Sequence, residues 1–445
     1  MKDEQSSGQA AGLLTDDSSP ADGAKLAATL AAVDGSPDSL QRAISEFQEW
    51  RNDVRQVFEE TQDKPEDRAL LVAGLFLEGD EALAAQEGAR ELLGEKPQQS
   101  VREILSGPDL TTRLERVGAK VSERKISFSH KPGYSRAVLL HLWHQRADIH
   151  DHLLTWLDRV VSRAGNTGRV GAVSELLVQL AIAENDIRVI DKFRKWIDES
   201  DQDKHLQLIA TVLSRAAEAD ALGPDVRARL LTWSQDESES VARVVALVCQ
   251  GDFATRFPRQ ALVRLKHILS RPERDRAVET AEAALRKVAA AENQLPGVWR
   301  TVSRWATGGR GENTGGHRAF LALLDPHGDP FLLQVMLEAA HNDKEVEEAL
   351  VNGWSAALDN TSVHAECRRL IDGWAHARAE NLVRPDQVIA ILNQVIRRHL
   401  MSVPISALLF GDPAAADGEA VIALRRDLIL PAQLRRFQVE SSMES

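Results

Sequence analysis

From Tyr134 to about residue 438 the sequence is patterned for helices alone. Segments of a dozen to twenty residues, with apolar side chains three and four positions apart, alternate with short polar turns rich in Gly, Pro, Asn and Asp. A chain of 445 residues also exceeds what one compact core usually holds. The pattern therefore predicts a mainly all-α protein with several cores or one elongated helical array.

Several of these helices are predicted to end on a tryptophan that follows an apolar residue. Leu230-Leu231-Thr232-Trp233 repeats Leu153-Leu154-Thr155-Trp156, and Trp196 and Trp305 end looser copies. Trp156, Trp196 and Trp233 are 40 and 37 residues apart, and Trp305 lies 72 residues further on. A period of about 36–40 residues is typical of one helix pair per repeat in HEAT, armadillo or TPR arrays. We predict such a solenoid over residues 134–438, with an irregular helical domain as the alternative.

The same tryptophans could be buried core residues or part of an exposed binding surface. An exposed tryptophan often marks a binding hot spot, but a tryptophan at helical spacing beside leucine is more often a core residue. We expect Trp156, Trp196, Trp233 and Trp305 to be buried between neighbouring repeats. Trp156→Ala should then cost about 3–5 kcal/mol.

The first 133 residues are organised differently. Residues 1–21 are polar and acidic and are predicted to be a disordered tail, as the last residues, 439–445, are predicted to be flexible. Residues 22–133 are predicted to form a small module of helices. Its helices are expected at 36–57, 66–77, 79–93, 99–106 and 108–117. Ile126 and Phe128 then alternate with polar residues, as in a half-buried strand. Helices followed by one hairpin outline a winged-helix-like module.

Charge and cysteine content restrict the compartment and the partners. Residues 1–100 hold 21 acids and 9 Lys and Arg, which accounts for most of the net charge of −13. An acidic N-terminal part repels nucleic acid and anionic membranes, so neither is the expected partner. The two cysteines, Cys249 and Cys367, allow neither a disulfide scaffold nor a Cys-based zinc module. The polar N-terminus is unlike a signal peptide and no apolar run could cross a bilayer, so we expect a cytoplasmic protein.

Motifs for catalysis are missing from the sequence. It contains no GxxxxGK[ST], GxGxxG or GxSxG pattern. The glycine-rich stretch 308–316 lacks the Lys-Ser/Thr pair of a P-loop and is interpreted as a flexible loop between repeats. His364-Ala365-Glu366-Cys367 matches half of a zinc-deaminase signature, but the second half needs two cysteines and only Cys249 remains. We therefore expect no enzymatic activity and no cofactor.

Two clusters of side chains could still bind a ligand. His141 and His144 lie on one face of a predicted helix, and His150 and His152 begin the next, so together they could hold Zn²⁺. The alternative is a wet turn between two helices. In residues 261–310, ten bases against five acids could form a basic interaction stripe, or only a solvated face. The candidate stripe residues are Arg264, Lys266, Arg271, Arg274 and Arg276.

Two stretches carry a family resemblance. They are Arg68–Gly79, RALLVAGLFLEG, and Lys125–Trp143, KISFSHKPGYSRAVLLHLW. Residues 40–160 around them resemble the winged-helix-like segment and first C-terminal helix of actinobacterial STAND-type P-loop NTPases, in which a helical repeat sensor follows. Because no Walker motif is present, ATP binding and hydrolysis are not carried over. The resemblance implies a sensor or adaptor part linked to signalling or defence, by analogy of fold alone.

These observations favour one function and leave two alternatives open. The favoured function is a non-enzymatic scaffold or sensor/adaptor that binds protein, with a separate NTPase or signalling component among the candidate partners, because repeat arrays offer extended concave surfaces. The first alternative is a winged-helix nucleic-acid-binding regulator with a helical sensor domain. The second is a small-molecule or metal sensor centred on His141–His152.

Overall fold

The computed structural model describes residues 53–94, 107–131, 133–162, 167–200, 202–308, 313–327, 330–411 and 417–430. Within these ranges the chain is helical apart from one small antiparallel sheet, which confirms the mainly all-α prediction. The predicted tail 1–21, most of the helix at 36–57, the helix at 99–106 and residues 439–445 lie outside them. The chain divides into two compact units, Met1–Glu199 and Ser200–Ser445.

The first unit holds most of the predicted N-terminal helices. Residues 53–60 are helical. The elements that follow are α1 (Pro65–Phe76), α2 (Ala82–Leu93), α3 (Leu110–Arg116), β1 (Lys120–Ser122), β2 (Lys125–Ser127), α4 (Tyr134–Gln145), α5 (His150–Ser162), α6 (Thr167–Glu184) and α7 (Ile187–Asp198), with a 3-10 turn at Ala147–Ile149. The boundary expected at residue 133 lies inside this unit, because α5 packs on α2 and α6 packs on α1.

The hairpin follows the predicted alternation. Val121 lies opposite Ile126 in the antiparallel pair, and the side chains of Ile126 and Phe128 are buried. Glu123 and Arg124 form the turn with φ values of 51° and 66°, the left-handed pair that a two-residue hairpin turn requires. The backbone after α1 joins this sheet. Gly79 N donates to Ile126 O at 2.8 Å, Ile126 N donates to Asp80 O at 3.0 Å, and Ala82 N donates to Arg124 O at 2.8 Å.

The second unit is helical throughout its described residues. Its elements are α8 (Asp203–Glu218), α9 (Gly223–Trp233), α10 (Glu239–Val248), α11 (Asp252–Arg256), α12 (Pro258–Leu269), α13 (Arg276–Ala290), α14 (Leu295–Thr307), α15 (Thr314–Leu323), α16 (Phe331–Asn342), α17 (Lys344–Asp359), a 3-10 turn at Thr361–Val363, α18 (His364–Ala379), α19 (Pro385–His399), α20 (Val403–Phe410) and α21 (Glu419–Ile429). Each helix packs on others that lie close to it in sequence, as α10 does on α8 and α13. None of the described helices has the length and apolar character that crossing a bilayer requires.

Polar contacts in this unit recur at two sequence separations. Toward its N-terminal end, the contacts of Arg243 with Asp203, Arg264 with Arg227 and Arg271 with Asp236 span 40, 37 and 35 residues. Toward its C-terminal end the separation rises to 46–49 residues. This holds for Arg318–Glu366, Gln387–Glu338, Gln394–Glu347, Arg398–Asn352 and Arg368–Asp417.

Three of the four tryptophans predicted to be core residues are buried. Trp156, Trp196 and Trp233 expose at most 3% of their surface, which confirms their assignment. Trp305 is only half-buried, and the ammonium of Lys266 lies 5.3 Å from its ring centre. The core prediction therefore does not hold fully for Trp305, because one side of its ring carries a lysine instead of apolar neighbours.

The glycine-rich stretch is not a loop throughout. Gly315 and Gly316 belong to α15, and both are buried. A Cβ on Gly315 would lie 2.8 Å from Lys266 O, and a Cβ on Gly316 would lie 2.6 Å from Trp305 O. These glycines let α15 approach the backbone of its neighbours, so the interpretation of 308–316 as one loop is wrong for residues 314–316.

Candidate interaction surface

The helix α20 carries no charged residue and a single polar side chain, Ser406. Such a helix, with the sequence VPISALLF, is normally buried all round. Pro404, Ile405 and Leu408 are indeed buried. Val403 and Phe410, however, are 68% and 77% exposed. Because these two residues are seven positions apart, they lie on one side of the helix, with the half-buried Ser406 and Ala407 between them, so α20 presents two large apolar side chains to solvent.

Exposed apolar side chains are concentrated around this helix. Six of the ten large apolar residues exposed in the described part of the chain lie between residues 400 and 429. We call this group the apolar end, and it consists of Leu400, Met401, Val403, Phe410, Ile422 and Ile429. Met401, in the turn between α19 and α20, is 88% exposed. Concentrated exposed apolar surface usually marks an interaction site, whereas single exposed apolar residues are ordinary.

A depression of about 460 Å³ lies at the start of α20. Its walls come from the ends of α17 and α19 and the starts of α18 and α20. It is lined by Leu358, Asp359, His364, Arg397, Arg398, His399, Leu400, Met401, Ser402 and Val403. The depression thus combines part of the apolar end with several basic side chains.

The basic groups come from the last turn of α19. Arg397, Arg398 and His399 end this helix, where the partial negative charge of the helix terminus favours cations. Arg398 Nη1 donates to Asn352 Oδ1 at 2.8 Å, and His399 Nδ1 lies 3.5 Å from Asp359 Oδ1. Arg397 is exposed and forms neither an ion pair nor a hydrogen bond with any described residue. The site therefore offers an unused guanidinium beside exposed apolar side chains.

None of the sequence motifs predicted this site. The available signal was the lack of any charged residue in Val403–Phe410 directly after Arg397-Arg398-His399. A helix at a protein surface usually carries charged residues on its exposed side.

The described elements of the first unit place a small sheet among helices. They run from α1 through residues 79–82, α2 and α3 to the β1–β2 hairpin, which pairs with residues 79–82. Both arginines of α3 are paired with Asp67. Arg113 Nε donates to Asp67 Oδ1 at 2.7 Å, and Arg116 Nη1 lies 3.8 Å from Asp67 Oδ2. The carboxylate of Asp67 is buried and holds Arg113 against α1, whereas Arg116 stays exposed on the surface of α3.

The four histidines of the candidate metal site have separate partners. His144 Nε2 lies 2.7 Å from Glu184 Oε2, and His152 Nε2 donates to Leu92 O at 2.6 Å. His150 stacks on Trp143 with ring centres 3.6 Å apart.

The fourth histidine, His141, packs against the ring of Phe58 with ring centres 4.5 Å apart. Burial and neighbouring cations lower the pKa of His141. In the described residues no three His, Cys, Asp or Glu side chains are grouped to hold a metal ion. The structure therefore does not bring His141, His144, His150 and His152 together as ligands.

The predicted basic stripe is divided between different environments. Arg264 is buried, its guanidinium donates to the carbonyls of Gln260 and Arg227, and burial lowers its pKa. Arg271 Nε donates to Asp275 Oδ2 at 2.8 Å. These two arginines stabilise the fold and leave little charge for a ligand.

The other three residues of the stripe differ from one another. Arg274 Nη2 donates to Glu282 Oε2 at 2.8 Å. Lys266 lies over the ring of Trp305, and Arg276 is exposed. The five cations therefore do not form one exposed row.

The half-signature at His364-Ala365-Glu366-Cys367 is also used within the fold. His364 Nε2 donates to Leu358 O at 2.9 Å, and Glu366 is paired with the buried Arg318 at 3.0 Å. Cys367 is buried, which raises the pKa of its thiol to about 12. A thiol of that kind is unreactive at neutral pH.

No protein-family model matches this chain, and no curated protein matches it in sequence. The resemblance to STAND-type NTPases stays a prediction.

Proposed function

We propose that this chain is a non-enzymatic scaffold or adaptor that binds a protein partner through the apolar end of its second unit. The observation that carries the proposal is the exposed apolar face of α20, with Val403 and Phe410 on one side of a helix that has no charged residue. Apolar surface of this kind is favourable to bury, at roughly 25 cal/mol per Å². A helix without charged residues that exposes large apolar side chains is accounted for if a partner covers it.

Recurring sequence separations between polar contacts of the second unit support the proposal. Contacts that recur at 35–40 residues and then at 46–49 residues are expected if similar helical units stack on their neighbours. The shorter separation fits a helix pair and the longer one fits a three-helix unit of the armadillo or HEAT type. In such arrays the outermost unit needs a polar outer face; α21 exposes Glu419 and Arg426, whereas α20 exposes Val403 and Phe410.

The alternative function is a winged-helix nucleic-acid-binding regulator. Its support is the pairing of residues 79–82 with β2 and the order of helices and hairpin in the first unit. The side chains that α3 exposes are Thr111, Thr112, Glu115 and Arg116. Asp67 is paired with Arg116 as well as with Arg113. The helix α3 therefore offers little unpaired positive charge to the phosphates of DNA, which proteins contact mainly through Lys and Arg. We rank this function second for that reason.

The proposal is tested by purifying the tagged full chain from its native host, with and without nuclease, and identifying what accompanies it. The wild-type chain should bring down a protein at near-equal stoichiometry that resists nuclease. Phe410→Glu should lose that protein, because it places a charge in the apolar contact. Leu83→Glu is the matched control, since Leu83 is a 61% exposed leucine in the first unit.

Three other results would change the ranking. Loss of the partner from both variants would remove the assignment to α20. Nucleic acid alone, or only partners released by nuclease, would favour the winged-helix regulator, and its binding should weaken steeply with salt. A separate NTPase as the stoichiometric partner would support the adaptor function that the resemblance implies.

A further inference from the structure

We infer that the depression beside α20 binds an amphipathic peptide segment of the partner in which carboxylates lie next to apolar side chains. The inference rests on the proposed function and names the chemistry of its partner. Both halves of that chemistry are present in one lining, which joins Arg397 and Arg398 to Met401 and Val403.

The apolar half is formed by the turn between α19 and α20. Leu400, Met401 and Val403 are all exposed and all line the depression. Methionine has a flexible and polarisable side chain that adapts to irregular partners. The exposed face continues along α20 to Phe410, a distance of about 10 Å at 1.5 Å rise per residue. That length matches positions i, i+3/i+4 and i+7 of a helical partner.

The charged half has more arginines than carboxylates. Arg397 and Arg398 line the depression, with His364 and His399 beside them, against one carboxylate, that of Asp359. Asp359 already has His399 at 3.5 Å, and Arg397 has no partner among the described residues. Arg398 uses one of its five N–H groups on Asn352. Guanidinium groups bind carboxylates through paired hydrogen bonds, so acidic side chains complement this rim.

A peptide fits these features better than an anionic membrane does. The basic groups and the apolar residues share a concave lining, which a flat bilayer would not fill. The chain as a whole has a net charge of −13, which repels anionic lipid at long range. A small carboxylate would engage the arginines but would leave the two-turn apolar face of α20 uncovered.

The test is selection of a phage-displayed random dodecapeptide library on the immobilised full chain. The wild-type protein should enrich peptides in which Asp or Glu lies within one helical turn of Leu, Ile, Phe or Met. The best of these, as synthetic peptides, should bind Arg397→Glu/Arg398→Glu at least ten-fold more weakly. Arg300→Glu/Arg304→Glu is the control, because it reverses two exposed arginines on α14 and should bind as the wild type does.

Defined results would overturn the inference. They are enriched peptides without acidic bias, equal binding to the wild type and Arg397→Glu/Arg398→Glu, or equal losses in the control. Sedimentation of the chain with phosphatidylserine vesicles, dependent on Arg397 and Arg398, would assign the surface to a membrane. A wild-type dimer that Phe410→Glu separates would assign it to a second copy. If Phe410→Glu loses the native partner while Arg397→Glu/Arg398→Glu keeps it, the scaffold function stands and this inference fails.

Discussion

The ring of His317 is held between a carbonyl and an amide, and Nδ1 lies 3.0 Å from Asn360 Nδ2. Its Nε2 lies 3.1 Å from Ala306 O, so Nε2 carries the proton. The orientation of the Asn360 amide is fixed, because Asn360 Oδ1 accepts a hydrogen bond from Ser362 N at 3.0 Å. Exchanging the amide oxygen and nitrogen would lose that hydrogen bond. His317 Nδ1 must therefore accept a hydrogen bond, which only the neutral ring can do.

The second unit should accordingly lose stability in mild acid. Burial lowers the pKa of His317 in the folded chain despite the nearby carboxylate of Asp359. The unfolded chain titrates near the ordinary value of about 6.5 and binds more protons below it. Stability is thus fully present above pH 6.5 and falls as the pH drops from there. Urea midpoints at pH 7.5, 6 and 5 should show this slope, and His317→Gln should flatten it.

The control for that experiment is His341→Gln, which removes an exposed histidine of α16. It should keep the wild-type slope. Some slope should survive in His317→Gln, because burial lowers the pKa of His205 as well. An unchanged slope in His317→Gln would contradict the assigned protonation state.

A second prediction concerns the buried ion pair of Arg318 with Glu366. The Arg318 side chain is 3% exposed, and its Nε donates to Glu366 Oε1 at 3.0 Å. Glu366→Ala leaves the guanidinium buried without its counter-charge, which should lower the free energy of unfolding by about 3–5 kcal/mol. Chemical denaturation checks this value. Asp386→Ala, which breaks the exposed pair with Arg384, should cost less than about 1 kcal/mol.

A third prediction compares two tryptophans. Trp156 is fully buried, with its ring 6.1 Å from that of Phe76 and close to Gly88. Trp156→Ala should cost about 3–5 kcal/mol of unfolding free energy in the first unit. Trp305→Ala should cost clearly less, since that ring is half-buried. If denaturation experiments show equal losses of unfolding free energy in the two variants, burial of the ring does not determine the cost.

A fourth prediction concerns the close approach of α17 to α15. A Cβ on Gly353 would overlap the ring of Phe320. Gly353→Ala should therefore destabilise the second unit by about 1–3 kcal/mol through overpacking, although alanine favours helix. The double variant Gly353→Ala/Phe320→Leu should recover part of the stability lost in Gly353→Ala. Additive losses in the two single variants would contradict a direct clash, because contacting residues are expected to couple.

Local periodicity predicted the elements well. The alternation of Ile126 and Phe128 is visible in sequence because a strand exposes every second residue, and the hairpin forms there. The helix predicted at 66–77 is found at Pro65–Phe76. Gly315 and Gly316 were misleading because sequence does not show whether a glycine permits a turn or the close approach of two helices.

The contacts that set the candidate site depend on residues far apart in sequence. The spacing of Trp156, Trp196 and Trp233 predicts a step near 40 residues. It does not predict the longer separations of the polar contacts that begin beyond residue 270. Arg271 and Arg274 pair with the nearby Asp275 and Glu282, but whether Arg397 has a partner follows from which helices meet. Charge counts along the chain cannot distinguish such residues.

The buried Arg318 also bears on how the second unit opens. Stacked helical units can unzip from an end, one neighbour contact at a time. Opening from α21 toward α19 breaks apolar contacts and exposed or part-buried polar pairs such as Arg368–Asp417 and Arg398–Asn352, but detaching α18 strips the buried Glu366 from a guanidinium that also holds the carbonyls of Leu269 and Arg271. Opening should halt there, and native-state hydrogen exchange should show α19–α21 as a less protected cooperative block than α15 and α18.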